Sequence, residues 1–204
     1  MSEIKFTKTE LRTQQVKLGQ LQKYLPTLQL KKALLQIEVH QAETELLIQQ
    51  KDFEALEVRQ FRYASLFTDA DARPLFAATA LREVVTDDEN IAGVDVPIFK
   101  KAVFAPKDYS LFDTPFWMDS AAETLEEYIS TREKIRILKE RKRRLEKELR
   151  EVSIRVNLFE KILIPRTVEN IKKIRIFLGD QMLAAVAQAK VSKRKILQRK
   201  EESA

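Results

Sequence analysis

The chain has 204 residues, with three Gly, six Pro, one His, no Cys and a formal net charge of +6. Average composition would place roughly fourteen Gly in this length, so folds that need many tight turns or a glycine-rich phosphate loop are excluded. The lack of Cys excludes disulfides and thiolate metal sites, and the single His40 is too little for a histidine-ligated metal centre or a serine triad. Long helices are the architecture that remains.

The positive charge is concentrated at one end of the sequence. The last forty residues carry ten basic and four acidic side chains, whereas residues 61–120 carry six basic and ten acidic ones. This distribution indicates a local basic contact surface rather than a uniformly basic nucleic-acid binder. No apolar run has the length of a signal peptide core or a membrane span, so we expect a cytoplasmic protein without membrane insertion.

Residues 1–66 are predicted to form one long helix with a seven-residue apolar repeat. Position a of the repeat is apolar in every heptad except the one that holds Lys32, and a stripe this narrow is typical of a coiled-coil seam. Thr7 and Glu10 have the spacing of a capping box, and Pro26 predicts a kink rather than an end. The seam residues predicted on this helix are Leu11, Leu18, Leu25, Leu28, Leu35, Val39 and Leu46.

Residues 67–119 have a different composition, with four of the six Pro and most of the acidic excess. RPLFAATALREVV, at 73–85, predicts a short helix, and the β-branched stretch VDVPIFKKAVFA, at 94–105, predicts one or two short strands. The acidic cluster at 87–89 is interpreted as a solvated turn. A segment of this length between two helices is rarely plain loop, so we expect a small compact lobe.

Residues 120–204 repeat the helical signal of the first segment. Ser120 and Glu123 have the spacing of a second capping box and predict the start of the helix. Beyond Pro165 the apolar repeat shifts its phase, which predicts a bend. The seam residues predicted on this helix are Leu138, Leu145, Leu149, Val152, Val156 and Phe159.

Two helices of about 60 and 75 residues would be about 90 and 110 Å long, so neither can bury its stripe inside a small globule. We therefore predict an all-α-dominated fold: a long two-helix antiparallel coiled coil with a small, β-containing middle lobe. Placing Tyr63 opposite Tyr128 gives a register in which Pro26 lies beside Pro165. In that register, residues beyond about 187 extend without a partner helix.

The basic residues near the C-terminus have few acidic neighbours and are the best candidates for contact with an anionic surface. Nucleic acid, an anionic membrane surface and a protein cavity lined with carboxylates all fit this chemistry, and a self-associating structural coiled coil is a further alternative. No catalytic, cofactor or metal site is predicted, and the isolated chain is not expected to be an enzyme. The residues of this basic tip are Lys190, Lys193, Arg194 and Lys195.

Three segments resemble the D subunit of the V-type and A-type rotary ATPases, in a bacterial form. The family's RVNALE segment, with its later IP, resembles residues 155–178, RVNLFEKILIPRTVENIKKIRIFL. Its N-terminal pattern resembles TKTEL, at 7–11, together with LQLKKALL, at 28–35. IAGVDVPIF, at 91–99, resembles its G-V-x-V-P element. The matching positions are Thr7, Lys8, Leu11, Lys31, Lys32, Arg155, Val156, Asn157, Leu158, Glu160, Ile164, Pro165, Ile171 and Ile174.

The sequence departs from the family pattern at Tyr24, where Gly is usual, at Pro26, and after residue 178, where it is nearly neutral. The resemblance implies a non-catalytic central rotor shaft that transmits torque between a catalytic A/B hexamer and a membrane ring. It further implies contacts with the A and B subunits, with the F subunit and with a membrane-ring adaptor, and the basic tip would face the hexamer. The expected location is cytoplasmic, peripheral on the inner face of the membrane, with no nucleic acid and no cofactor bound.

Overall fold

The computed structural model describes residues 5–62, 64–65, 72–107, 109 and 114–202, with the side chains of the last three left out. The chain divides into two compact units, which are described separately: unit 1 comprises residues 1–30 and 153–204, and unit 2 comprises residues 31–152. The predicted fold, dominated by long antiparallel helices with a small sheet, is confirmed. The elements are α1 (Lys8–Phe61), α2 (Arg73–Ala78), β1 (Leu81–Ile91), β2 (Val94–Phe104), α3 (Met118–Leu158), a π-helical turn (Phe159–Leu163) and α4 (Ile164–Glu202).

Helix α1 starts where its sequence predicts. The Glu10 backbone N–H donates to Thr7 Oγ1 at 3.2 Å, which satisfies one of the free N–H groups of the first turn. Pro26 lies inside the helix and does not end it. The Pro ring is tolerated because a neighbouring helix and a long run of good helix formers on both sides hold the backbone.

In unit 2, α1 and α3 run antiparallel. Lys31 Nζ lies 2.7 Å from Glu148 Oε1, and the ring of Phe53 stacks on Tyr128 with 4.7 Å between centroids. The predicted register is wrong, since Tyr128 faces Phe53, ten residues before Tyr63, which lies outside the described residues. Registers one heptad apart bury similar apolar residues, so cross-helix ion pairs select between them.

Helix α3 begins two residues before the predicted capping box. Met118 is its first residue, and the Ala121 N–H donates to the carbonyl of Trp117 at 3.0 Å. The prediction of a start at Ser120 is therefore wrong. The reason is burial: Met118 packs with Leu75 of α2 in a small core, and this contact holds the first turn in place. The buried members of that core are Leu75, Met118, Ala121 and Ala122.

The middle segment contains the predicted short helix, as α2, and the predicted strand at 94–105, as β2, but it also contains a strand that was not predicted, β1. Helix α2 ends at Ala78, and residues 81–91 form β1, which pairs antiparallel with β2 along its length, with irregularities between Leu81 and Glu83 and between Val85 and Thr86. The predictions of a helix up to residue 85 and of a turn at 87–89 are wrong. Local helix propensity is overridden here because β2 supplies partners for most of the β1 backbone.

The hairpin turn is formed by Ala92 and Gly93, which both have positive φ, 51° and 82°. Two adjacent positive φ values define the tight turn whose twist matches the strands. Asn90 stabilises it twice, accepting from the Gly93 N–H at 3.1 Å and donating from Nδ2 to Asp95 Oδ1 at 2.6 Å.

In unit 1, the residue that leads into α1, Phe6, packs against α4. The ring of Phe6 lies 4.9 Å from that of Phe177, and Ile174 is fully buried. This contact places Pro26 opposite a position at about 157, so the predicted pairing of Pro26 with Pro165 is wrong as well. Every described side chain at 181–199 is exposed, so the part of α4 without a partner starts earlier than predicted.

Leu145→Ala should lower the free energy of unfolding by about 2 to 5 kcal/mol, because Leu145 has no exposed surface and its truncation leaves a cavity in the seam of unit 2. Chemical denaturation followed by circular dichroism measures the change. Leu47→Ala is the matched control, since Leu47 is 60% exposed and its loss should cost less than about 0.5 kcal/mol. Equal losses for the two variants would contradict the assignment of the seam.

Candidate functional site

Arg141 joins three elements of unit 2. Its guanidinium lies 3.6 Å from Glu38 and 3.9 Å from Glu45, both on α1, and 3.9 Å from Glu89 on β1. The side chain is only 17% exposed, so these ion pairs are less screened than pairs on the open surface. We call this group the Arg141 junction. It connects both long helices to the hairpin through one cation.

The hairpin tip is held by two further contacts in unit 2. Arg144 Nη1 donates to the backbone oxygen of Asp95 at 3.0 Å, next to the turn. A Cβ added to Gly93 would lie 3.8 Å from Lys31 Nζ, which itself pairs with Glu148. The tip therefore rests beside a cation of α1 and accepts a hydrogen bond from α3.

The outer face of α3 is strongly cationic. Arg143 Nε and Arg144 Nε donate to Glu140 at 2.8 and 3.0 Å. Hydrogen bonds from Arg143 first and Arg144 second lower the pKa of Glu140 to about 2, so this carboxylate stays charged at every physiological pH. With Pro97 of β2, this face borders a groove of about 510 Å³. The charged residues that line the groove are Arg136, Lys139, Glu140, Arg143 and Arg144.

The predicted seam residues are all at least partly covered. Leu35, Leu138, Leu145, Val152 and Val156 are buried. The remaining ones have intermediate exposure and flank the buried positions, as edge residues of a two-helix contact do. These partly buried residues are Leu11, Leu18, Leu25, Leu28, Val39, Leu46, Leu149 and Phe159.

The N-terminal positions that resemble the family have mixed environments. Thr7 caps α1 and is exposed, Lys8 is exposed, and Leu11 is partly buried. Lys31 pairs with Glu148, and Lys32 is partly buried. These positions therefore comprise one cap, one cross-helix ion pair and flanking seam residues, and they do not converge on a single site.

The C-terminal positions that resemble the family lie around the π turn of unit 1. Arg155 and Asn157 are exposed at the end of α3, and Glu160 is exposed within the π turn. Leu158 and Pro165 are also exposed, and Ile164 is half-buried. The buried members are Val156, Ile171 and Ile174.

The basic tip lies on the exposed part of α4. Lys190, Lys193, Arg194 and Lys195 are all exposed, and within the described part of the chain none of them forms an ion pair. Four exposed positive charges within six residues of one helix would attract an anionic surface that approached them.

Metal sites and membrane spans are both absent from the part of the chain that the structure describes. In those residues, no group of three His, Asp or Glu side chains has the arrangement of a metal site. Across the same ranges, no helix is long and apolar enough to cross a membrane.

The heptad analysis missed the second buried face of α3. Glu133, Ile137 and Arg141 follow one another at intervals of four residues, which puts them on one helix face. Glu133 and Ile137 are buried although neither is a seam position. Ile137 is apolar although it lies outside the a and d positions, and this was the sequence signal that a third element covers α3.

The two antiparallel helices of unit 2, with a β-hairpin held against them by Arg141 and Arg144, place the chain in the class of coiled-coil proteins with a docked β-hairpin. A family model for the D subunit of ATP synthase matches residues 10–194. The V-type ATP synthase D subunit of Chlamydia caviae is 44% identical over 207 residues, covering 99% of this chain and 98% of that protein. The corresponding proteins of Chlamydia muridarum, 46% identical over 98% of this chain and 99% of theirs, and Chlamydia pneumoniae, 42% over 97% and 95%, are similar.

The chain therefore belongs to the ATP synthase D-subunit family, and the predicted resemblance is confirmed. The names of these relatives support its membership of a rotary ATPase complex.

Arg141→Gln should loosen the hairpin from the helices, because three carboxylates lose their shared cation. We expect a loss of about 1 to 2 kcal/mol in the free energy of unfolding and faster amide exchange in β1 and β2. Hydrogen–deuterium exchange measured by mass spectrometry tests this.

Arg143→Gln is the matched control for that variant. Arg143 is an exposed arginine of the same helix, and it pairs with Glu140 of its own helix, so its loss should leave the free energy of unfolding close to the wild-type value. Exchange in the hairpin that is the same in both variants would contradict the role of the Arg141 junction.

Proposed function

We propose that the chain is a non-catalytic central rotor shaft, which transmits torque between a catalytic A/B hexamer and a membrane ion-translocating ring. The observation that carries the proposal is the antiparallel pairing of α1 and α3 in unit 2, with a buried seam and cross-helix ion pairs, in a chain of the D-subunit family. Any chemistry of ATP would then belong to neighbouring subunits.

A shaft must resist twisting, and the contacts within unit 2 supply that resistance. Fully buried side chains such as Leu35 and Leu145 interlock across the two helices, and a twist would have to unpack them. Cross-helix pairs such as Lys142–Glu43, at 3.0 Å, add directional contacts on the flanks of the seam. Individually such exposed pairs are weak, so apolar packing provides most of the stiffness.

The exposed part of α4 in unit 1 is the proposed contact with the A/B hexamer. A turning shaft changes the state of each catalytic subunit only if its contacts favour one conformation over another. The basic tip provides such a contact through charge, while weak exposed ion pairs would still allow rotation. Arg155, Asn157 and Glu160, exposed near the π turn, are proposed to contact the collar of the hexamer.

The F subunit is proposed to bind unit 2 on the surface formed by the hairpin and the adjoining helices. An exposed apolar row on α1 supports this choice: Leu34, Ile37 and Ile48 lie on one helix face and are 47%, 54% and 53% exposed. A further proposed partner is the membrane-ring adaptor. It would hold the complex at the inner face of the membrane, where this chain would be a peripheral subunit.

Co-expression with candidate A, B and F subunits tests the proposal as a whole. A stable complex of this chain with F that raises the ATPase activity of an A/B hexamer is the expected result. A homodimer that binds none of the three subunits would contradict the proposal. Salt-sensitive binding to DNA or anionic vesicles, without binding to the hexamer, would also contradict it.

Leu145→Asp should uncouple ion movement from ATP hydrolysis, because a buried carboxylate disrupts the seam that carries the torque. We expect ATP-driven ion transport per ATP hydrolysed to fall about tenfold, while the hexamer retains part of its hydrolysis. Parallel assays of transport and phosphate release in reconstituted vesicles give this ratio.

Leu47→Asp places the same charge on an exposed position of α1 and serves as the control, with an expected ratio close to wild type. An unchanged ratio in Leu145→Asp, in a complex that still contains the chain, would count against torque transmission through the seam.

Charge reversal of Lys193, Arg194 and Lys195 to Glu should weaken binding to the hexamer by about ten- to a hundredfold, since three favourable charge contacts become repulsive. Titration of labelled chain into A/B hexamer measures the affinity. The control reverses three exposed cations of unit 2, Lys51, Lys147 and Arg150, and should bind like wild type. Normal binding after reversal of the tip would remove it from the interface.

A further inference from the structure

One wide turn interrupts the long C-terminal helical segment of unit 1. At Phe159–Leu163 the backbone is π-helical, and the Ile164 N–H donates to the carbonyl of Phe159, five residues earlier. A π turn contains one residue more than the α turn it replaces, and such turns occur mostly as single insertions in otherwise regular helices.

The buried positions on the two sides of this turn are out of step by one residue. Before the turn, Val152 and Val156 are buried at heptad positions d and a. A strict heptad repeat from these two would bury positions 166, 170 and 173. The buried residues are instead Thr167, Ile171 and Ile174, each one position later.

The π turn accounts for this difference, because one inserted residue shifts every later position by one. Without the wider turn, the apolar residues after Pro165 would rotate away from the face that Val156 occupies. The extra residue therefore keeps two differently phased apolar stripes on the same side of the helix.

The turn itself is weakly held. None of its residues is buried, and the nearest buried side chains are those of Val156 before it and Thr167 after it. Pro165, two residues beyond the turn, has no N–H to donate to it. Beyond it, the Thr167 hydroxyl donates to the carbonyl of Leu163 at 2.7 Å, a side-chain contact that favours bending. Because the turn has wide hydrogen bonds and only the partial burial of Phe159 and Leu163, local opening and twisting should concentrate here.

We propose that residues 159–163 form a torsionally soft joint, which absorbs a one-residue phase shift between two well-packed helical segments. The joint is a property of this chain by itself. Its use in torque transmission rests on the proposed rotor function, but its test requires no other subunit.

The test compares two single-residue deletions in the full chain. Deletion of Lys161 removes one residue from the π turn, and deletion of Lys172 removes an exposed lysine from regular helix between Ile171 and Ile174. The Lys161 deletion should convert the joint into continuous α-helix and bring all buried positions into one heptad frame. Its midpoint of thermal unfolding should equal or exceed that of wild type.

The Lys172 deletion should instead rotate Ile174 out of the seam and lower the midpoint by roughly 5 to 10 °C. An equal or larger loss after deletion of Lys161, including failure to fold, would overturn the proposal.

Hydrogen exchange on the wild-type chain gives a second measurement that does not depend on any variant. Amides at 160–166 should exchange about tenfold faster than those at 150–157, and in the Lys161 deletion this difference should disappear. Uniformly slow exchange across 150–170 in wild type would overturn the joint, whatever the outcome of the rotor experiments.

Discussion

The structure depends on one constraint: each long helix carries an apolar stripe too narrow to form a core and too long to leave in water. Within unit 2 the stripes of α1 and α3 cover each other, and Leu35 and Leu145 lose all contact with solvent. Burial of this kind contributes about 25 cal/mol per Å² of apolar surface and is the main favourable term. The antiparallel arrangement follows from the connection, because the hairpin segment returns the chain beside α1.

Charge specifies what apolar packing leaves open. A heptad repeat is nearly degenerate with respect to shifts of seven residues, so contacts such as Lys31–Glu148 are needed to fix the register. The same chemistry docks the hairpin, since Arg141 serves carboxylates of both α1 and β1. The packed seam resists twisting, and the hairpin is fixed to it by ion pairs. Force that a partner subunit exerts on the hairpin is therefore transmitted to the helices, as the proposed rotor role requires.

The sequence predicted the parts of the fold that depend on local, repeated signals. The helix start at Thr7, the two long helices and the presence of a small β element follow from capping, periodicity and composition. The register, the start of α3 at Met118 and the strand at 81–91 depend on contacts between residues far apart in the chain, such as Met118 with Leu75, and no local pattern encodes them. The Arg141 junction was missed for the same reason: its three acidic partners are separated from it by 52 residues or more in the sequence.

The most direct test of the account uses the absence of Cys from the chain. A single cysteine introduced at the exposed Asp88 would carry a bead or gold particle, in a complex whose catalytic subunits are fixed to a surface and supplied with ATP. The account predicts that the particle rotates continuously in one direction while ATP is hydrolysed. A particle that stays fixed relative to the catalytic subunits during hydrolysis would contradict the central claim that this chain is the shaft.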